Sequence, residues 1–188
     1  MTLCLCVVTV ALQVHLEQIP VVDRPAEEEF SRLMTEAGRI VSRLETPRST
    51  VTNLLRRIRE NLSAQETDEL REQLKREISR ALELGGIPLG MIDSLTMVFV
   101  NLCINTIEVV HAEPGDSVVL HLKCSSLWAL LRLREMILSG LLLRLLSTAI
   151  KEFIQSRSRV QLVVLADDFK STLSCLTIAS RTFVDKTL

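Results

Sequence analysis

Apolar and polar residues alternate along positions 8–17, near the start of the chain. The apolar set is Val8, Val10, Leu12, Val14 and Leu16, and the residues between them are Thr9, Ala11, Gln13, His15 and Glu17. A period of two indicates a half-buried strand, because successive side chains of a strand point to opposite faces. A cleaved or anchoring segment is the alternative, since positions 1–14 carry no charge. The run is short for a membrane span, however, and no cation precedes Arg24.

Helical spacing replaces the alternation after a linker at positions 19–25. Pro25 suits the first turn of a helix, and Pro47 cannot continue one, so the first helix is predicted between them. Its apolar residues recur every three or four positions, as a helix with one buried face requires. They are Phe30, Leu33, Met34, Ala37, Ile40, Val41 and Leu44.

Two further helices are predicted at about positions 50–61 and 63–84. The second begins with a capping-box sequence, in which Ser63 and Glu66 can satisfy free backbone N–H groups. Glu72 and Arg76 are predicted to form an i,i+4 ion pair on its surface.

The next segment combines an ambiguous apolar stretch with a clear hairpin signal. Positions 91–103 fit either a buried helix or a strand, whereas positions 104–112 have more β-forming residues. A turn signal at positions 113–116 predicts a hairpin that pairs 106–111 with 117–124. Its second strand has two faces. Val118, Leu120, Leu122 and Cys124 lie on one, and Val119, His121 and Lys123 lie on the other.

Positions 127–154 are too apolar for an ordinary surface helix, and Ser139 and Gly140 interrupt them. Three interpretations stay open: a kinked pair of buried helices, a face that binds a partner helix or groove, and a segment at a membrane interface. A strand follows at positions 159–165. Asp167 and Asp168 are then predicted to begin a closing helix that contains Cys175.

The order of elements predicts an α+β protein with a small, mainly antiparallel sheet and helices packed on one face, an α–β sandwich. By sequence the chain divides into an N-terminal strand and linker (1–25), a helical segment (26–88) and an α+β core (89–188). A chain of 188 residues suits one compact domain overall.

The composition of the chain narrows the range of possible functions. The chain has 22 basic and 23 acidic residues and only 3% aromatic residues, so nucleic-acid binding is not expected. The five cysteines are odd in number and scattered, which favours reduced, buried thiols in a cytoplasmic protein over a secreted disulfide scaffold.

No catalytic, cofactor or metal-binding residues are predicted. His121 and Cys124 are three apart in a strand and therefore point to opposite faces, and Cys4 and Cys6 have no companion ligand pair. Cys103, Cys124 and Cys175 do not lie in a recognisable catalytic sequence, and no nucleotide-binding glycine motif is present. We expect that the protein is not an enzyme.

The second half of the chain has a characteristic order and spacing of predicted elements. They are the strand at 118–124, the helix at 130–140 with its small-residue break, the strand at 160–165 and the acidic start of the last helix. This arrangement, over about positions 107–175, resembles the TRADD-like N-terminal domain. The resemblance implies an α–β sandwich that acts as an adaptor in death-receptor (apoptosis) and innate-immune signalling. It also implies recruitment of TRAF-type proteins through an exposed sheet face.

The expected function is therefore a non-enzymatic, cytoplasmic adaptor that binds a signalling protein. The expected partner surface is the sheet face that does not meet the helices, because such a face mixes apolar and polar groups. It carries Val119, His121 and Lys123, and Gln161 and Val163 extend it. The alternative is a self-associating or membrane-peripheral structural module, so homo-oligomers and contact with a membrane surface stay open.

Overall fold

A computed structural model describes residues 8–17, 24–60, 63–114, 118–154 and 159–164 of the chain. Within these ranges six helices and four strands follow one another. They are β1 (Val8–Glu17), α1 (Arg24–Leu44), α2 (Thr50–Arg59), α3 (Ala64–Leu84), α4 (Leu89–Ile104), β2 (Ile107–Glu113), β3 (Val118–Cys124), α5 (Leu127–Leu138), α6 (Leu141–Ile154) and β4 (Arg159–Val164). The closing helix predicted from Asp167 lies outside the described residues.

The four strands form one antiparallel sheet in the order β2-β3-β1-β4. The strand predicted from the alternation at the start of the chain is confirmed. It lies inside the sheet, where Leu12 pairs with Leu120 of β3 on one side and with Val164 of β4 on the other. The first strand in sequence thus connects the hairpin to the last strand.

Helices pack on one face of this sheet, and the α+β class is confirmed. The predicted faces of β3 are confirmed too, because the even-numbered residues are buried and the odd-numbered ones are partly exposed. The buried residues join one continuous apolar core that extends through all six helices. Its largest fully buried side chains are Phe30, Phe99, Met34, Leu55, Leu74, Ile78, Leu82, Leu95, Leu102, Leu120 and Leu122.

Local signals in the N-terminal helices behave as predicted, with one exception. Ser63 and Glu66 form the reciprocal capping box at the start of α3. The predicted ion pair between Glu72 and Arg76 is wrong, since Glu72 pairs with Lys75. Positions three apart on a helix are neighbours just as positions four apart are, so the sequence allowed both pairs.

The ambiguous apolar stretch is α4, a helix buried on most of its circumference. It packs between α3 and α6. A helix that is buried on most of its circumference is mainly apolar and shows only weak periodicity, which is why the pattern alone did not separate helix from strand. The β-like stretch begins later than predicted, since Ile104 ends α4 and β2 begins at Ile107.

The long apolar segment is a pair of helices, α5 and α6, that meet at Ser139 and Gly140. Gly140 has a φ of +70°, a conformation that glycine adopts without a steric penalty and that commonly ends a helix. The inward faces of both helices are buried. Among the described residues, no helix is long and apolar enough to cross a membrane.

Helix α1 lies along the outer edge of β2. The backbone N–H of Ala112 donates a hydrogen bond of 2.9 Å to the hydroxyl of Thr35, which in turn donates to the carbonyl of Ser31. An unpaired strand edge can pair with another chain, and this helix covers part of it.

Candidate functional site

The sheet has an inner face, which the helices bury, and an outer face. We define the outer sheet face by the residues that the strand registers place on it. They are Thr9, Ala11, Gln13 and His15 of β1, Glu108, His111 and Glu113 of β2, Val119, His121 and Lys123 of β3, and Gln161 and Val163 of β4. The β3 side chains of this face are half-buried, which leaves them accessible to a ligand or partner.

All five predicted partner-binding positions fall on the outer sheet face. Val119 pairs with Gln13, and Gln13 pairs with Val163 on its other side, so these three positions form one row across the sheet. His15 pairs with Gln161. The structure describes only the backbone at Gln161 and Val163, so their placement rests on register.

Two parts of this face were missed by the sequence analysis. One is β1, which supplies the row between β3 and β4. Its alternation predicts a polar face but carries no information about which strands lie beside it. The other is the set of β2 residues, of which His111 and Glu113 are placed by an irregularity in the strand.

A β-bulge in β2 brings His111 onto the outer sheet face. Val109 pairs with Leu122, and regular pairing would continue with His111 opposite Leu120, on the inner face. One extra residue in β2 instead places His111 opposite His121. A shift of one residue moves side chains to the other face of a sheet, so the bulge decides which face His111 occupies.

His111, Glu113 and His121 form a compact cluster at the hairpin. The two imidazole rings stack with centroids 4.0 Å apart and planes 9° apart. Oε1 of Glu113 lies 2.9 Å from Nε2 of His111 and 3.5 Å from Nε2 of His121. The hydrogen bond with His111, followed by the charge of His121, lowers the pKa of Glu113 below its usual range. The cluster therefore presents an ionised carboxylate between two imidazoles.

A second polar cluster joins the sheet to α1. Nζ of Lys123 and Oγ of Ser42 each lie 2.9 Å from the Glu108 carboxylate. Burial by itself would raise the pKa of Glu108, but the hydrogen bonds from Lys123 and Ser42 outweigh it and lower the pKa. These side chains line a cleft of about 350 Å³ between α1, α4 and the hairpin, which also contains Cys103.

The cysteines considered as nucleophiles are poorly suited to that role where the structure describes them. Cys103 and Cys124 are free and buried. Burial raises the pKa of the Cys124 thiol to about 12, and burial together with the Glu45 carboxylate raises that of Cys103 well above its usual value. The thiolate is the nucleophilic form, so both thiols stay protonated at neutral pH. Cys175, like Cys4 and Cys6, lies outside the described residues.

The prediction that His121 and Cys124 lie on opposite faces is confirmed, since His121 is on the outer face and Cys124 is buried on the inner one. His121 instead meets His111 and Glu113, a triad with metal-ligand chemistry that the sequence analysis missed. The signal was a His-Ala-Glu sequence at the end of one hairpin strand, with a histidine in the other strand.

Fold and site together define an α+β protein with one sheet face buried by helices and the other partly exposed. A scan against protein-family models finds no match to this chain, and searches of curated proteins and of solved structures find none either.

Proposed function

We propose that this protein is a non-enzymatic, cytoplasmic adaptor that binds a signalling protein through its outer sheet face. The observation that carries the proposal is the difference between the two faces of the sheet. In β3, the residues of the inner face are buried, whereas those of the outer sheet face are only half-buried. The α–β sandwich implied by the TRADD-like resemblance agrees with this one-sided packing. By that resemblance, the partner is a TRAF-type protein of death-receptor or innate-immune signalling.

The chemistry of the outer sheet face suits a reversible protein contact. Val119 offers apolar surface, its cross-strand neighbour Glu113 offers a negative charge, and Lys123 offers a positive charge farther along β3. Interfaces between proteins that also exist apart are about as polar as the rest of the surface, with an apolar centre. The row Val119–Gln13–Val163 spans two strand spacings, about 10 Å, which is wide enough to form such a centre.

The test is a double substitution, Val119→Asp with Val163→Asp, in the full chain. Neither position belongs to the inner face, so the fold should survive while two charges enter the centre of the contact. We expect binding to a purified TRAF domain, measured by biolayer interferometry, to be lost. Circular dichroism and the thermal midpoint should change little. An unfolded variant would mean that this face is buried, and full binding by a folded variant would move the contact elsewhere.

A matched control lies on α5. Leu131 and Leu138 are exposed apolar residues of that helix, and Leu131→Asp with Leu138→Asp introduces the same two charges away from the sheet. This variant should bind the TRAF domain as the wild type does. Loss of binding in the α5 variant alone would place the partner contact on α5.

Self-association is the second candidate function, and exposed apolar residues on α5 favour it. Trp128, Leu131 and Leu138 are 49%, 47% and 70% exposed. They are spaced so that they share one side of the helix, and exposed apolar patches mark interaction sites. Light scattering at micromolar concentration distinguishes the two. A dimer that Leu131→Asp with Leu138→Asp converts to a monomer would support self-association.

A further inference from the structure

We propose that His111, Glu113 and His121 form a binding site for a transition-metal ion of the Zn²⁺ class on the hairpin. Two imidazoles and one carboxylate are a ligand set that zinc accepts, and three protein ligands leave a fourth position for water or another group. The site is independent of the adaptor function proposed above, although it lies on the same sheet face.

The distances between the ligand atoms suit one shared ion. Atoms bound tetrahedrally to zinc at about 2.0–2.1 Å lie about 3.4 Å from one another. In the cluster, Oε1 of Glu113 is 2.9 Å from Nε2 of His111 and 3.5 Å from Nε2 of His121. One ligand atom from each residue lies within 4.8 Å of the others. The three side chains therefore already lie within reach of one shared ion.

The surroundings of His121 add a second, independent observation. Its Nε2 is buried and makes no hydrogen bond within the described residues, and the Glu113 carboxylate oxygen beside it is 3.5 Å away. Buried polar atoms are normally paired, so a buried ring nitrogen beside a carboxylate and a second imidazole calls for a partner. A cation between the three ligands would satisfy it.

Metal binding at the cluster depends on solvent access and on the orientation of the two imidazole rings. The side chains of His111 and Glu113 are 41% and 58% exposed, so an ion can reach the cluster from solvent. The two rings are nearly parallel, and their in-plane lone pairs do not converge. Binding therefore requires a rotation of the imidazoles about their side-chain bonds, which the exposed His111 can make most easily.

Nitrogen ligands determine which ions the site prefers. Imidazole suits Zn²⁺, Cu²⁺ and Ni²⁺, whereas Mg²⁺ and Ca²⁺ prefer sites made of oxygen atoms. We therefore expect calorimetric titration of the chelator-treated full chain with ZnCl₂ at neutral pH to show one ion per chain. Titration with MgCl₂ should show no binding.

Three substitutions locate the ion. Glu113→Gln and His121→Gln each remove a ligand and should weaken zinc binding at least about tenfold, as the loss of even an outer-shell partner can. His15→Gln is the matched control, because it removes the remaining histidine from the same face. It should leave binding unchanged. Because Glu113 is exposed, Glu113→Gln should keep the fold. Its zinc affinity therefore tests the proposed site even if His121→Gln does not fold.

Nuclear magnetic resonance of the imidazole nitrogens gives a readout at the atoms themselves. On adding zinc, the Nε2 signals of His111 and His121 should shift together, while those of His15 should not. The proposal is overturned by the absence of one-to-one binding. It is equally overturned by zinc binding that Glu113→Gln leaves intact, since the ion would then use other ligands, such as thiols.

Discussion

Neighbouring side chains of β3 differ sharply in what surrounds them. Leu120 and Leu122 are 2% and 1% exposed and belong to the core, whereas His121 between them faces outward. Strand geometry alone produces this contrast, because side chains alternate between the two faces. Substitutions at adjacent positions should therefore have very different effects on stability.

We expect Leu120→Ala to lower the free energy of unfolding by about 2–5 kcal/mol, the usual cost of truncating a leucine in a packed core. Leu122→Ala should fall in the same range. His121→Ala should cost about 1 kcal/mol or less, since it opens no cavity in the core. Chemical denaturation of the three variants measures this. A larger loss for His121→Ala than for the leucines would contradict the assignment of the faces.

The Glu108–Lys123 pair should make a small, pH-dependent contribution to stability. The folded pKa of Glu108 is lowered, so its contribution is present above the unfolded pKa and is lost as pH falls through the lower, folded value. The pair is partly exposed, and solvent screening limits the contribution to less than about 1 kcal/mol. Compared with Glu108→Gln, the wild type should lose more stability on acidification below about pH 4.5. Parallel slopes would contradict the lowered pKa.

At the scale of elements, the contact between α1 and β2 depends on one missing side chain. A Cβ atom added at Gly38 of α1 would lie 2.7 Å from the carbonyl oxygen of Val109 and 3.2 Å from its Cβ. A backbone atom cannot move aside as the end of a flexible side chain can. Gly38 therefore allows the helix to lie close to the strand.

Gly38→Ala should destabilise the protein by about 1–3 kcal/mol, the range for forcing extra atoms into a packed contact. This loss outweighs the gain in helix propensity of about 1 kcal/mol. Gly90→Ala, in the first turn of α4, is the matched control, because nothing lies within 4 Å of the added atom. It should be neutral or stabilising. Thermal denaturation of both variants measures the difference, and equal midpoints would show that α1 does not approach β2 so closely.

At the scale of the whole molecule, β1 holds the sheet together. It pairs with β3 on one side and with β4 on the other, whereas β4 pairs with β1 alone in the described sheet. Loss of β1 therefore detaches β4 and exposes an edge of β3. Loss of β4 leaves three paired strands, which with a packed apolar face can remain stable.

We expect replacement of residues 8–17 by a Gly-Ser sequence of equal length to abolish cooperative unfolding. The same replacement of residues 159–164 should keep a cooperative transition at a lower midpoint. Calorimetry of the two variants tests this difference between an inner and an edge strand. Loss of cooperativity in both, or in neither, would contradict the strand order.

The sequence by itself determined the local structure of much of this protein. The alternation of β1 and β3, the capping box at Ser63 and the helix break at Gly140 were all correctly predicted. Each depends on residues within a few positions of one another, where periodicity and backbone preferences act directly. The five predicted partner-binding positions followed from the same alternation, which is why register places them on one face.

Only the tertiary structure decided how these pieces meet. Helix α4 is buried on most of its circumference, so its apolar pattern did not distinguish it clearly from a strand. The inner position of β1 depends on pairing with strands more than a hundred residues away. The cluster of His111, Glu113 and His121 exists because a bulge moves His111 to the outer face. These features arise from burial and hydrogen bonding between distant segments, and no local pattern in the sequence contains that information.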